Sequence, residues 1–150
     1  MKQIYGLIIL VTMLFVGGCK QDEAVIPASL QNLKLLGKWY LVSTQILTAT
    51  GNDTPVGGDP IPSDSDQNYF IFRENNEATF SSTMYARVFV GYYSSNSSAS
   101  IKTLKFKSGA LLLNYVLESI DDQTFVVTES SSSTIAGEIT TTLKRYTYSR

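Results

Sequence analysis

The chain has 150 residues, 12 basic and 13 acidic, with a net charge of -1, one cysteine and no histidine. That length holds one domain rather than two, and the near-balanced charge argues against a nucleic-acid partner, which is gripped by a concentrated basic face. Without histidine, Ser-His-Asp and Cys-His catalysis and histidine-ligated metal sites are excluded, while an oxygen-ligand calcium site stays open.

Residues 1–18, MKQIYGLIILVTMLFVGG, have the layout of a signal peptide. Lys2 gives a positive start, and Ile4 to Val16 form an apolar run of 13 residues, within the range of a signal-peptide core and short of the length needed to span a bilayer. Gly17 and Gly18 supply the small residues that a signal peptidase requires. Val16-Gly17-Gly18-Cys19 resembles the bacterial lipobox. The resemblance implies that Cys19 becomes the first mature residue and carries a diacylglyceryl group and an amide-linked, palmitate-type acyl chain. Several buried chains anchor a domain stably, at about 0.8 kcal/mol per methylene. The expected place is the outer membrane, on its periplasmic or cell-surface side. Lys20, Asp22 and Glu23 resemble a surface-export tag; a charged, solvated tether is the plainer alternative. Loss of residues 1–18 removes Lys2 and leaves 11 basic against 13 acidic residues.

Residues 19–30 read as the lipidated tether and 31–150 as the domain. Ser29 to Leu36 suits one or two helical turns, with Ser29 as N-cap and Gly37 as the stop. Beyond it the chain is rich in Val, Ile, Thr, Tyr and Phe, with Ser, Gly, Asn and Asp between the apolar runs, which is strand-and-turn composition. Eight strands are predicted: Lys38–Leu47, Asn68–Arg73, Ala78–Met84, Arg87–Tyr93, Ile101–Lys107, Ala110–Ser119, Thr124–Glu129 and Glu138–Tyr148. Glu74 to Glu77, Ser108-Gly109 and Asp121-Asp122 supply tight turns. Ser94 to Ser100 and Ser130 to Thr134 read as loops. Short connections imply antiparallel, up-and-down neighbours. Alternation puts Ala78, Phe80, Ser82 and Met84 on one face, Leu111, Leu113, Tyr115 and Leu117 on another, and Phe125 with Val127 on a third. In the last strand Ile139, Thr141 and Leu143 form the more apolar face. Strands with one apolar face belong in a sandwich or barrel, and an even number favours closure, which removes exposed edges.

LLGKWYLVS, residues 35 to 43, resembles the Gly-x-Trp opening of lipocalin-like barrels through Gly37 and Trp39. The whole layout is similar to the small lipocalin-like lipoproteins: a lipobox, a tether, this strand, and the hairpins YFIFRENNEATF and YVLESIDDQTFVV. The resemblance implies an all-β fold, an eight-stranded antiparallel up-and-down barrel with a short N-terminal helical turn. It also implies that Trp39 plugs the closed end beneath a basic residue of the last strand. Lys144-Arg145 is the pair in that place, so Gly37, Trp39 and Arg145 are the expected barrel-closing residues. The segment Thr48–Gln67 occupies the position of a lid over the open end.

Asp64, Asp66 and Asn68 match the start of a calcium loop, but Tyr69 and Asn75 stand where that pattern needs Gly and Glu. Glu74, Glu77, Asp121 and Asp122 sit at hairpin tips, where turn chemistry accounts for them better than catalysis does. The serines lack a histidine partner and a Ser-x-x-Lys pattern. Nine tyrosines suit either a binding cavity or ordinary barrel walls and rims. The expected function is therefore binding without catalysis or cofactor: a membrane-anchored, monomeric barrel that takes a small apolar or amphipathic ligand. By alternation, Phe70, Phe80, Met84, Phe89, Leu113, Tyr115 and Val127 are the expected lining. The alternative is a filled barrel acting as a surface adhesin or as an accessory module in glycan uptake.

Overall fold

The computed structural model describes residues 32–64, 66–96, 102–135 and 137–150. The predicted signal peptide, Cys19, the tether and Ser29 lie outside the described residues. A 3-10 turn, Leu33–Leu35, opens the described part of the domain. Asn32 caps it, its side-chain oxygen accepting from the Lys34 backbone N–H at 3.1 Å. Gly37 leaves the turn with a φ of 111°, a conformation open to glycine and strained for other residues.

Ten strands follow: β1 Gly37–Thr50, β2 Val56–Gly57, β3 Ile61–Pro62, β4 Tyr69–Phe72, β5 Glu77–Ser82, β6 Arg87–Asn96, β7 Thr103–Ser108, β8 Leu111–Ile120, β9 Thr124–Ile135 and β10 Glu138–Ser149. β1 and β4 to β10 pair in sequence order, all antiparallel. β10 then pairs β1 from Tyr40↔Ser149 to Thr50↔Thr140, which closes an eight-stranded barrel. This is the architecture expected from the sequence.

Three local expectations change. The Thr48–Gln67 segment is not a lid. β2 and β3 turn back beside β1, pairing Leu47↔Gly57 and Ser43↔Pro62. The reason is that β4 meets β1 only at residues 37–40. The upper part of β1 would otherwise present bare N–H and C=O groups. Ser130 to Thr134 is strand, not loop. Its residues pair with Ile139 to Leu143, and the Ser132 and Thr141 hydroxyls meet at 3.2 Å, so β10 supplies the partners that a polar run lacks locally. Ser94 to Asn96 likewise continues β6 against β7.

The interior is reached through a switch of side-chain parity. A bulge between Leu41 and Ser43 in β1 turns Thr44 and Ile46 inward, where Trp39 and Leu41 point below it. In β10 the inward residues are Lys144, Tyr146 and Tyr148, so the face with Ile139 and Leu143, expected to be the buried one, is outward; Ile139 is 58% exposed. Gly91 in β6 lies where a Cβ would be driven onto the Lys107 carbonyl of β7, so the two strands approach as they do only because glycine stands there.

The lower barrel is filled with aromatic rings. Phe70 lies 5.1 Å from Phe72, 4.6 Å from Phe80, 5.9 Å from Phe106 and 5.5 Å from Tyr148. Phe125 stacks on Tyr148 at 4.6 Å and takes Trp39 edge-on at 5.1 Å. Tyr93, Leu104, Leu117 and Val127 complete a core supplied between Leu35 and Tyr148.

Candidate functional site

The core stops short of one end of the barrel. Above Tyr148 a cup of about 340 Å³ remains, opposite the end plugged by Trp39. Its floor and apolar wall come from Leu41, Ile46, Phe80, Leu113 and Tyr148, and its rim from Asn68, Thr83, Met84 and Tyr85. Thr44, Tyr115, Glu129, Lys144 and Tyr146 add polar groups. Glu129 of β9 and Lys144 of β10 are Cα partners. Tyr146 donates to Glu129 Oε2 at 3.3 Å and meets Tyr115 edge-on at 5.8 Å. Burial pushes the phenols of Tyr115, Tyr146 and Tyr148 far above the ordinary tyrosine range, and the Glu129 charge adds to the effect at Tyr146. These hydroxyls therefore stay protonated through the physiological range and can donate. The rim is held by Asn68, whose side-chain oxygen accepts from the Thr83 backbone N–H at 2.7 Å and its hydroxyl at 3.1 Å.

Of the seven expected lining residues, Phe80, Met84, Leu113 and Tyr115 line the cup. Phe70 and Val127 are fully buried in the packed floor, and Phe89 packs beside Phe80 and Tyr85 outside the cup. Met84 sits in the β5–β6 turn rather than in a strand and is 73% exposed. Glu129 and Lys144 were not foreseen. Continuing the Phe125, Val127 alternation by one step would have pointed Glu129 inward. Stepping back from Tyr148 and Tyr146 would have done the same for Lys144.

The closed end is built as expected except for its cation. Trp39 is fully buried and its indole N–H donates to the Leu35 carbonyl at 2.6 Å. The guanidinium over its ring, at 4.1 Å, belongs to Arg150 and not to Arg145. Arg150 also donates to the Lys34 and Leu36 carbonyls at 2.8 and 2.9 Å, tying the 3-10 turn to the end of β10. Arg145 has the wrong parity and faces outward. There it pairs with Glu118 at 2.9 Å and donates to Gln45 at 3.2 Å. Thr128 donates to the same Glu118, and Gln45 donates to the Gly58 carbonyl at 3.0 Å. Arg145 thus laces β8, β9, β10 and β1 together across the seam where the barrel closes.

The exposed carboxylates have structural work. Asp121 accepts from the Gln123 and Thr124 backbone N–H groups at 2.8 and 2.7 Å and from the Thr124 hydroxyl at 2.9 Å, which hold its carboxyl below the usual range. Asn68 of the calcium-like run is committed to Thr83. Among the described residues no cluster of three or more acidic or cysteine side chains could hold a metal. A more open groove of about 610 Å³ runs outside β4 to β6, past Lys38, Asp66 and Tyr69. Its tyrosine face is already covered, because the Lys38 ammonium lies 4.6 Å from the Tyr40 ring and 4.4 Å from that of Tyr69.

The molecule is by structure a small closed antiparallel β-barrel, solid at one end and cupped at the other. Comparison with protein-family models, with curated proteins and with solved structures found no match.

Proposed function

We propose that this chain is a lipid-anchored, non-enzymatic, lipocalin-like barrel that binds one small amphipathic molecule in the cup. The observation that carries the reading is the composition of the cavity: an apolar floor with Glu129, Lys144 and tyrosine hydroxyls gathered at one side. Pockets of this size, mostly apolar with a few placed polar groups, suit a small ligand. Its apolar part would pack on Leu41, Phe80 and Leu113, and its polar end would face Lys144 or the Tyr146–Glu129 pair. Cys19 would hold the barrel at the outer membrane.

The first test is native mass spectrometry of the protein purified from its own membranes, followed by organic extraction of what co-purifies. The second uses anilinonaphthalene sulfonate as an apolar probe. Thr44→Phe puts a ring into the cup and should weaken probe binding roughly tenfold while near-ultraviolet circular dichroism stays that of the wild type. Equal binding by both proteins, with nothing co-purifying, would sink the reading. That outcome would favour the second one, an interaction module for a surface assembly, which draws support from the solid lower barrel.

A further inference from the structure

From Ala78 to Leu117 the sequence holds Arg87, Lys102, Lys105 and Lys107 and not one acidic residue. The run 51–68 is its opposite, with Asp53, Asp59, Asp64 and Asp66 and no Lys or Arg. The fold sets most of these two stretches on opposite sides, the exception being Asp66, which shares the groove outside β4 to β6 with Arg87 and Val88. Around the closed barrel β7 lies four strands from β1 in either direction, and β2 and β3 flank β1. Charge is therefore segregated across the barrel, although the chain as a whole is nearly neutral.

The basic side is also apolar on its outside. In β6, Val88 is 58% and Val90 64% exposed; in β8, Leu112 is 58% and Val116 44% exposed. Lys107 of β7 lies between Tyr92 of β6 and Leu112 of β8, Lys105 lies between Ser94 and Asn114, and Val88 and Val90 continue the face past the end of β7. Outward positions of a half-buried strand are ordinarily polar, and clustered exposed aliphatic side chains mark an interaction surface. The lysines indicate which kind. Protein interfaces are depleted in lysine at their centres. Interleaved lysine and aliphatic side chains suit an anionic bilayer surface instead, where aliphatic tips enter the headgroup boundary and lysine stems snorkel to the phosphates.

We propose that the outer face of β6, β7 and β8 rests on an anionic phospholipid surface. The Glu118–Arg145 ion pair involves none of these lysines, and Lys105 and Lys107 are exposed. Met84 and Tyr85, 73% and 42% exposed at the β5–β6 turn, adjoin this face and also rim the cup. The docked barrel therefore has its cup mouth beside the membrane. This inference does not rest on ligand binding in the cup or on the Cys19 anchor.

The test uses residues 20–150, which omit Cys19 and keep the whole closed barrel from Gly37 to Ser149. Co-sedimentation is measured with vesicles of phosphatidylcholine alone and with vesicles containing one-third phosphatidylglycerol. Binding to the anionic vesicles should be at least tenfold stronger and should fall with added salt. The double variant Lys105→Gln/Lys107→Gln should bind them roughly 25-fold more weakly. Lys34→Gln, at the closed end, should bind as the wild type does. Equal binding to both vesicle types, no binding to either, or a double variant that binds normally would overturn the proposal. A concentration-dependent dimer that the double variant abolishes, without vesicle binding, would assign the face to a second copy of the chain and overturn it too.

Discussion

Arg150 joins three things at the closed end: the Trp39 ring, the 3-10 turn and the last strand. Cation–π contact and charge-assisted hydrogen bonds together suggest that Arg150→Ala costs about 2 kcal/mol, read as a lower urea midpoint with an unchanged slope; Arg145→Ala should cost less, since its partner Glu118 is exposed. Asp121 works at the opposite pole of pH. Its carboxyl is held low by backbone N–H donors, so it contributes stability above the unfolded carboxylate pKa and loses it as pH falls through the lower folded value. Asp121→Asn should therefore be less stable than the wild type at pH 7, and the gap should close in acid, as followed by denaturant titration at several pH values. A gap that stayed constant down to pH 2 would place the cause in shape rather than charge. Residue identity in the sequence was enough to assign Asp121 to a turn. It was not enough to choose between Arg145 and Arg150, because that choice depends on strand parity at the end of β10.

At the scale of elements, β1 shows how a strand can be recognised yet misread in register. Its apolar character is plain, but the bulge between Leu41 and Ser43 changes which residues face inward, and no local signal announces it. β9 and β6 were cut short for a related reason. Serine and threonine runs look like loops until a partner strand satisfies their backbone. β6 and β7 approach at Gly91, where a methyl group would strike the Lys107 carbonyl. Gly91→Ala should therefore destabilise the barrel by about 1–3 kcal/mol, visible as a fall in thermal midpoint. Gly109→Ala makes a useful comparison, since its Cβ meets open space and only its φ of 56° is strained. If the two variants melted alike, the close approach at Gly91 would be of no consequence.

At the scale of the molecule, the proposed anchor and the barrel make separable expectations. Cys19→Ala should leave the protein as uncleaved precursor or release it from the membrane fraction, with the barrel intact; normal cleavage and retention in that variant would exclude lipidation at Cys19. What the amino-acid order determined by itself was the fold class: strand after strand with short polar turns, a Gly-x-Trp opening, and closure into eight strands. Those features are local and periodic, so they survive without knowledge of neighbours. The tertiary structure alone decided how far the interior fills, that Glu129 and Lys144 share a cup with four tyrosines, that the long loop edges β1 instead of covering the mouth, and that most of the acidic and basic stretches lie on opposite sides. Each of these depends on registers, bulges and barrel closure, which bring together side chains far apart in the chain and obey no short period.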